Sequence, residues 1–169
     1  DGDGVEDKAE RFYENKGSLR GPIGMDLTPV GYKHGQGVLV SSKGKVSLVL
    51  DTDGDGKADN ELIVADGWKE LVVSVDAVGA TFDPKDGSVY FGRGTFDYSN
   101  GHRVDKDGKS HYDVKEEYGT VMRVSPDFKK REIVATGIRF STGLHFNKAG
   151  EPFCSDQEGA TWLPNGNPF

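Results

Sequence analysis

The stretch Gly79-Ala80-Thr81-Phe82-Asp83-Pro84 has the pattern of a short strand that runs into a turn. Two other stretches match it, Gly24-Met25-Asp26-Leu27-Thr28-Pro29 and Gly143-Leu144-His145-Phe146-Asn147-Lys148. The copies begin at positions 24, 79 and 143, so they are 55 and 64 residues apart. A second apolar strand follows each copy, at residues 37–40, 88–91 and 151–154. An internal repeat of this length indicates a fold built from several similar units.

Two further strands are predicted inside each complete unit. Residues 45–50 and 61–64 alternate in polarity, and residues 119–124 and 131–134 occupy the same places in the next unit. Alternation bounded by Gly, Asp and Pro indicates β-strands, and no window has a sustained helical periodicity. Four strands per unit with a period of about 50 residues are typical of a propeller blade. The sequence therefore predicts an all-β fold, a partial β-propeller built of four-stranded antiparallel blades.

The repeat divides the chain into blades of one domain. We expect the end of a preceding blade at 1–20, one blade at 21–67, a second at 76–137 with an inserted loop at 95–117, and a partial blade at 142–169. Propellers close with about four to eight blades, and about 2.5 blades would leave long unpaired edges. We therefore expect the chain to be a fragment whose partner is the remainder of the same propeller.

Composition excludes several kinds of protein. The formal net charge is −7 and the pI is about 5.1, which argues against a nucleic-acid binder. No apolar run approaches about 18 residues, so no membrane span is predicted. The single cysteine, Cys154, cannot form an internal disulfide, and no Cys-x-x-Cys pair is present for zinc or covalent haem. Because Cys154 follows Phe153 in a predicted strand, we expect a buried, inert thiol.

An acidic loop between two predicted strands has the spacing of a calcium site. Calcium prefers oxygen ligands, and carboxylates at alternate positions of a tight loop converge on one point. Gly56 permits the sharp turn at the sixth position, while the twelfth position is Leu62, so the usual glutamate stands one place early. The predicted ligands are Asp51, Asp53, Asp55, the carbonyl of Lys57, Asp59 and Glu61.

The N-terminus repeats this pattern 52 residues earlier, since Asp1 corresponds to Asp53. The predicted ligands of this second loop are Asp1, Asp3, Val5, Asp7 and Glu10. The alternative is an ordinary acidic turn, because Asp and Gly are common in turns. Against it, neighbouring carboxylates repel one another without a cation. A calcium ion in either loop would have a structural role, joining two strands of a blade.

Residues 137–150 and 153–159 resemble a blade of the soluble quinoprotein glucose and sorbosone dehydrogenases, which reads G-x-R-N-P-x-G-L-x-F and, after a turn and a strand, E-x-G. The ending at 159–169 is similar to a related group of secreted propellers that are often joined to c-type haem modules. The resemblance implies six blades and a bound pyrroloquinoline quinone (PQQ). It also implies oxidation of a sugar or alcohol, electron transfer to a haem module or cytochrome, and a periplasmic or extracellular location.

The resemblance also implies roles for single residues. Arg139 stands where the dehydrogenases contact the quinone, and a guanidinium suits the carboxylates of that cofactor. Gly159 and Ala160 match the positions whose carbonyls bind a calcium ion beside the cofactor. Val75 falls where the family has its catalytic histidine, and the adjacent Asp76 is either a substitute base or a structural carboxylate at a strand start.

Two functions therefore remain open from the sequence. One is a quinone-dependent sugar dehydrogenase-like propeller with a sugar ligand, favoured by Arg139 and the turn at residues 159–160. The other is a non-catalytic, calcium-stabilised extracellular propeller that serves as a binding or assembly module, favoured by Val75. His145 alternates with Leu144 and Phe146, so we expect it to point to the opposite face of its strand.

Overall fold

The computed structural model describes residues 4–6, 8–71, 76–95, 107 and 117–157. These residues form ten β-strands in three antiparallel sheets, and no helix occurs among them. Sheet 1 contains β1 (Met25–Leu27), β2 (Gln36–Ser42), β3 (Lys45–Asp51) and β4 (Asn60–Ala65). Sheet 2 contains β5 (Ala77–Phe82), β6 (Val89–Arg93), β7 (Thr120–Val124) and β8 (Arg131–Thr136). Sheet 3 contains β9 (Leu144–Phe146) and β10 (Pro152–Cys154).

The all-β prediction is confirmed. The strands of sheets 1 and 2 pair in sequence order, each with the next along the chain, and none of the three sheets closes on itself within the described residues. The turn between β2 and β3 needs only two residues, because Ser42 pairs with Lys45 and Gly44 adopts a φ of 83°.

The sheets stack on one another through their first strands. β1 and β2 contact β5, and β5 in turn contacts β9. Two repeat glycines allow this approach: a Cβ on Gly24 would lie 2.8 Å from the Cα of Gly79, and a Cβ on Gly79 would lie 2.4 Å from the carbonyl oxygen of Ser141. The first residue of the repeat is therefore glycine in both complete units because backbones meet there.

The main core lies between sheets 1 and 2. Sheet 1 contributes Leu39 and Leu48, sheet 2 contributes Phe91 and Met122, and all four side chains are fully or almost fully buried. Cross-strand pairs such as Leu39 with Leu48, and Phe91 with Met122, place these side chains on the facing surfaces of the two sheets. Apolar burial between the sheets holds them together.

The opposite face of sheet 1 is partly covered by the N-terminal segment. Phe12, Tyr13 and Leu19 pack against Val40 and Val49. The backbone amide of residue 58 also donates a hydrogen bond of 2.7 Å to the carbonyl of Phe12. This segment therefore lies beside the β3–β4 loop.

The prediction of a buried Cys154 was wrong, because the thiol is exposed. β10 pairs only with β9 among the described strands, and all three of its residues are exposed. Partial desolvation of the sulfur, together with the negative charge of Asp156, raises the pKa of the Cys154 thiol, which lowers its reactivity as a nucleophile. His145 points away from buried Leu144 as expected. Within the described residues, no helix is long and apolar enough to cross a membrane.

Candidate functional site

The acidic loop connects β3 to β4, directly after the pair formed by Leu50 and Asn60. Gly54 and Gly56 have φ angles of 81° and 85°, which permit a loop that turns twice within six residues. A side chain at either glycine would have open space around it, so backbone conformation is the reason for glycine at both positions.

Three of the predicted ligands come together in this loop. Carboxylate oxygens of Asp51, Asp53 and Asp55 lie within 4.8 Å of one another. The two oxygens of Asp51 accept backbone hydrogen bonds from Gly54, at 2.7 Å, and from Gly56, at 2.9 Å. Desolvation raises the pKa of Asp51, but these backbone bonds outweigh it and the net shift is downward. The arrangement keeps negative charge concentrated at one point.

Further hydrogen bonds within the loop involve Lys57 and Asp59, the two other predicted ligands between β3 and β4. Asp55 accepts a bond of 2.8 Å from the amide of Lys57. Both oxygens of Asp59 lie 2.8 Å from the hydroxyl of Thr52, and the amide of Asp59 donates to the carbonyl of Leu50. Thr52 therefore holds the Asp59 carboxylate at the base of the loop, where β3 ends and β4 is about to begin.

Glu61 lies in a different cluster from the three aspartates. Its carboxylate accepts hydrogen bonds from Lys45 at 2.5 Å and Ser47 at 2.8 Å, and another from Ser18. Desolvation raises the pKa of Glu61, but the bonds from Lys45, Ser18 and Ser47 lower it by more. Glu61 thus joins β3, β4 and the N-terminal segment, a role that the loop spacing alone did not indicate.

Only part of the second predicted loop is described. Val5 is exposed, and Glu10 forms an ion pair with Lys8. Asp1, Asp3 and Asp7 lie outside the described residues, so the predicted second calcium loop stays a prediction.

Asp76 is fully buried at the start of sheet 2, where it joins several segments. One carboxylate oxygen accepts a 2.6 Å hydrogen bond from the indole of Trp68 and a 3.2 Å bond from the amide of Gly44. The other oxygen pairs with Arg93 at 2.9 Å, and Arg93 also donates to the carbonyl of Lys69. Both oxygens are therefore occupied, which favours the structural interpretation of Asp76 over that of a catalytic base.

Arg93 completes this buried cluster. Its guanidinium lies 4.8 Å from the ring centre of Trp68 and 5.0 Å from that of Tyr118. Glu117 approaches at 3.6 Å. Charge, hydrogen bonds and two aromatic faces compensate for the desolvation of the cation.

Arg139 is half-buried and lies in the segment that connects β8 to β9. Its guanidinium donates a 3.1 Å bond to the carbonyl of Gln157 and packs 5.0 Å from the ring centre of Phe140. The amide of Arg139 donates to Asp156 at 2.8 Å. Gly159, Ala160 and Val75 lie outside the described residues, as does the inserted loop at 95–117 apart from residues 95, 107 and 117.

A family model described as "Domain of unknown function (DUF7133)" matches residues 1–166. The chain belongs to this family. The DUF7133 match spans both acidic loops, the buried cluster around Asp76 and the segment that follows Arg139. No curated protein and no solved structure matches the chain.

Sequence reasoning missed two clusters of this DUF7133 chain, the one around Glu61 and the one around Arg93. Arg93 ends an otherwise apolar strand, and Asp76 precedes another apolar strand. A charged residue next to a buried strand is the signal that could have indicated a buried pair. The choice of partner depends on how the strands pair, because the two residues are 17 positions apart.

Proposed function

We propose that this chain contributes consecutive blades to a calcium-binding β-propeller of the quinoprotein sugar dehydrogenase type. The observation that supports the propeller best is the order of stacking. β1, β5 and β9 are the first strands of the three repeat units, and each contacts the next. Consecutive four-stranded sheets that meet along their first strands are the arrangement of blades around a central axis.

The acidic loop fits a calcium ion. Asp51, Asp53 and Asp55 supply carboxylate oxygens close enough to share one cation, and hard oxygen ligands are those that Ca²⁺ prefers. The ion would offset two of the three negative charges at the tip of the hairpin between β3 and β4. We propose a structural role for it, and a periplasmic or extracellular location, where weak calcium sites are filled.

Calcium binding is tested by thermal unfolding of chelator-treated protein as calcium is added. At a calcium concentration about 100 times Kd, a single site stabilises the folded state by about 2.7 kcal/mol. The melting temperature should rise for the wild-type protein and for the control Asp66→Asn, an exposed carboxylate outside the loop. It should not rise for the double variant Asp53→Asn/Asp55→Asn. An equal rise in the double variant would show that calcium binds elsewhere.

The proposed chemistry is oxidation of a sugar or alcohol, for which PQQ would supply an acceptor of two electrons and two protons when bound, and a haem partner would take up the electrons. Arg139 supports this part of the proposal. Its guanidinium bonds to the carbonyl of Gln157, which in the sequence lies two positions before Gly159. Gly159 and Ala160 are the residues whose carbonyls the resemblance assigns to a calcium ion beside the cofactor. A guanidinium at this place would bind a cofactor carboxylate and orient the ring.

The second candidate is a non-catalytic, calcium-stabilised propeller that acts as a binding or assembly module. The full engagement of Asp76 by Trp68, Gly44 and Arg93 favours it, because the carboxylate beside position 75 is held by structural hydrogen bonds. Reconstitution with calcium and PQQ, followed by dye reduction with aldoses, separates the two. Cofactor absorbance and turnover in the wild-type protein, both diminished by Arg139→Ala, would support the dehydrogenase. If the wild-type protein shows neither cofactor absorbance nor turnover, the binding module is the function that remains.

A further inference from the structure

The face of β1 that points away from sheet 2 carries two exposed apolar side chains. Met25 is 64% exposed and Leu27 is 73% exposed. Between them, Asp26 points the other way and accepts a 2.8 Å hydrogen bond from Thr81 of sheet 2. Val40 and Val38, the cross-strand partners of Met25 and Leu27, are covered on this face by the N-terminal segment, whereas Met25 and Leu27 are left exposed.

The repeat shows what happens at the same positions in the other units. Met25 corresponds to Ala80 in β5 and to Leu144 in β9, and these two are only 3% and 2% exposed. In both cases the preceding sheet provides the cover. Ala80 belongs to the core shared with sheet 1, and β9 packs against β5 and β6 of sheet 2.

The second position follows the same rule. Leu27 corresponds to Phe82, which is 6% exposed, and to Phe146, which is half-buried. Each phenylalanine meets a tyrosine of the preceding unit: Phe82 lies 5.1 Å from the ring of Tyr32, in the β1–β2 loop, and Phe146 lies 5.0 Å from that of Tyr90, in β6. The covering surface is therefore aliphatic with an aromatic side chain beside the second position.

We propose that the β1 face formed by Met25 and Leu27 docks a further four-stranded antiparallel unit of the same kind. The unit presents an aliphatic face like that of Leu39 and Leu48, with an aromatic residue next to Leu27. This inference rests on the propeller proposed above and names the surface through which its blades continue. Sheet 1 covers β5 and sheet 2 covers β9, and each of these covering sheets has four strands. This favours a complete four-stranded unit over a single added strand.

The test measures the accessibility of position 25 in the native polypeptide at its full natural length. Cys154→Ser removes the native exposed thiol, and Met25→Cys adds a small probe. Val30→Cys is the matched control, because Val30 is 100% exposed in the turn after β1. Maleimide labelling at position 25 should be at least about tenfold slower than at position 30, as expected for a site that opens only by local unfolding. Leu27→Cys is a second probe and should be protected like position 25.

Two outcomes would overturn the proposal. Equal labelling rates at positions 25 and 30 in folded protein would show that nothing covers the face. Protection that disappears on dilution, together with a dimer mass, would show that a second copy covers it. The calcium titration at the β3–β4 loop reports on a different feature of the protein, so a failed labelling result and a failed calcium result remain distinguishable.

Discussion

The buried carboxylate of Asp76 connects the β2–β3 turn, Trp68 and β6 through three hydrogen bonds, with Arg93 as its charged partner. Asp76→Ala leaves the guanidinium of Arg93 buried without that partner, which typically costs about 3–5 kcal/mol. We expect the free energy of unfolding, measured in urea, to fall by that amount.

The matched control is Asp66→Asn, which changes an exposed carboxylate and should alter stability by less than about 0.5 kcal/mol. If Asp76→Ala were as mild as this control, the buried cluster would contribute little to the junction of sheets 1 and 2.

Glu61 makes stability depend on pH. Since its pKa is lowered on folding, its stabilising contribution is complete above the ordinary glutamate value of about 4.3 and is lost as the pH falls through the lower folded value. Glu61→Gln should reduce the free energy of unfolding at pH 7 by about 1–3 kcal/mol, because hydrogen bonds to a charged acceptor weaken. The difference between wild type and variant should shrink below about pH 4.

Urea unfolding of both proteins across this pH range measures the effect. Exposed Glu14 offers the control Glu14→Gln, for which no such convergence is expected. A constant difference between wild type and Glu61→Gln at all pH values would contradict the charge-based explanation.

At the scale of the element, the repeat glycines set the distance between first strands. Gly79→Ala would place a Cβ 2.4 Å from the carbonyl oxygen of Ser141 and 2.8 Å from that of Thr142, and a backbone carbonyl cannot turn away as a side chain can. Overpacking of this kind costs about 1–3 kcal/mol, so the melting temperature should fall. Gly24→Ala should behave alike, because its Cβ would meet the backbone of residues 78 and 79.

The third repeat glycine provides the control. A Cβ on Gly143 would come closest to the hydroxyl of Ser155, at 3.1 Å, and a side chain can turn away. Gly143→Ala should therefore be much milder than Gly79→Ala in the same thermal unfolding measurement. Equal losses at positions 79 and 143 would show that strand conformation, and not inter-sheet approach, requires glycine.

For the molecule as a whole, sheets 1 and 2 share one core, so we expect them to unfold together. Phe91 lies in sheet 2, yet its ring packs 5.4 Å from that of Trp68, which follows sheet 1 in the chain. Phe91→Ala should cost about 3–5 kcal/mol, and amide hydrogen exchange should accelerate in β2 and β3 as well as in β6 and β7. Val134→Ala, at a half-exposed position of β8, should leave exchange in both sheets nearly unchanged.

Acceleration confined to sheet 2 would contradict this expectation. It would mean that each sheet is stabilised by its own hydrogen bonds and that the shared core adds little between them.

Much of the fold could be predicted from local pattern. The repeat at Gly24, Gly79 and Gly143 located the first strands, and alternation located the others, because strand periodicity depends only on neighbouring residues. The convergence of Asp51, Asp53 and Asp55 was likewise predictable, since all three lie within one tight loop.

Partners distant in the sequence were not predictable in this way. Glu61 was assigned to the loop by its spacing, but its carboxylate bonds to Ser18, 43 positions earlier. Cys154 was expected to be buried beside Phe153, yet its strand has cover from neither side in the described residues. Burial depends on which sheet packs on which face, and alternation within one strand does not specify that.

The sequence by itself therefore determined the repeat, the four-strand unit and the acidic loop, since each arises from residues close together in the chain. Only the tertiary structure decided that Asp76 pairs with Arg93, that Glu61 joins three segments, and that Met25 and Leu27 are exposed while their counterparts in β5 are buried. The physical reason is that burial and pairing depend on distances between sheets, which the packing of side chains sets after the strands have formed.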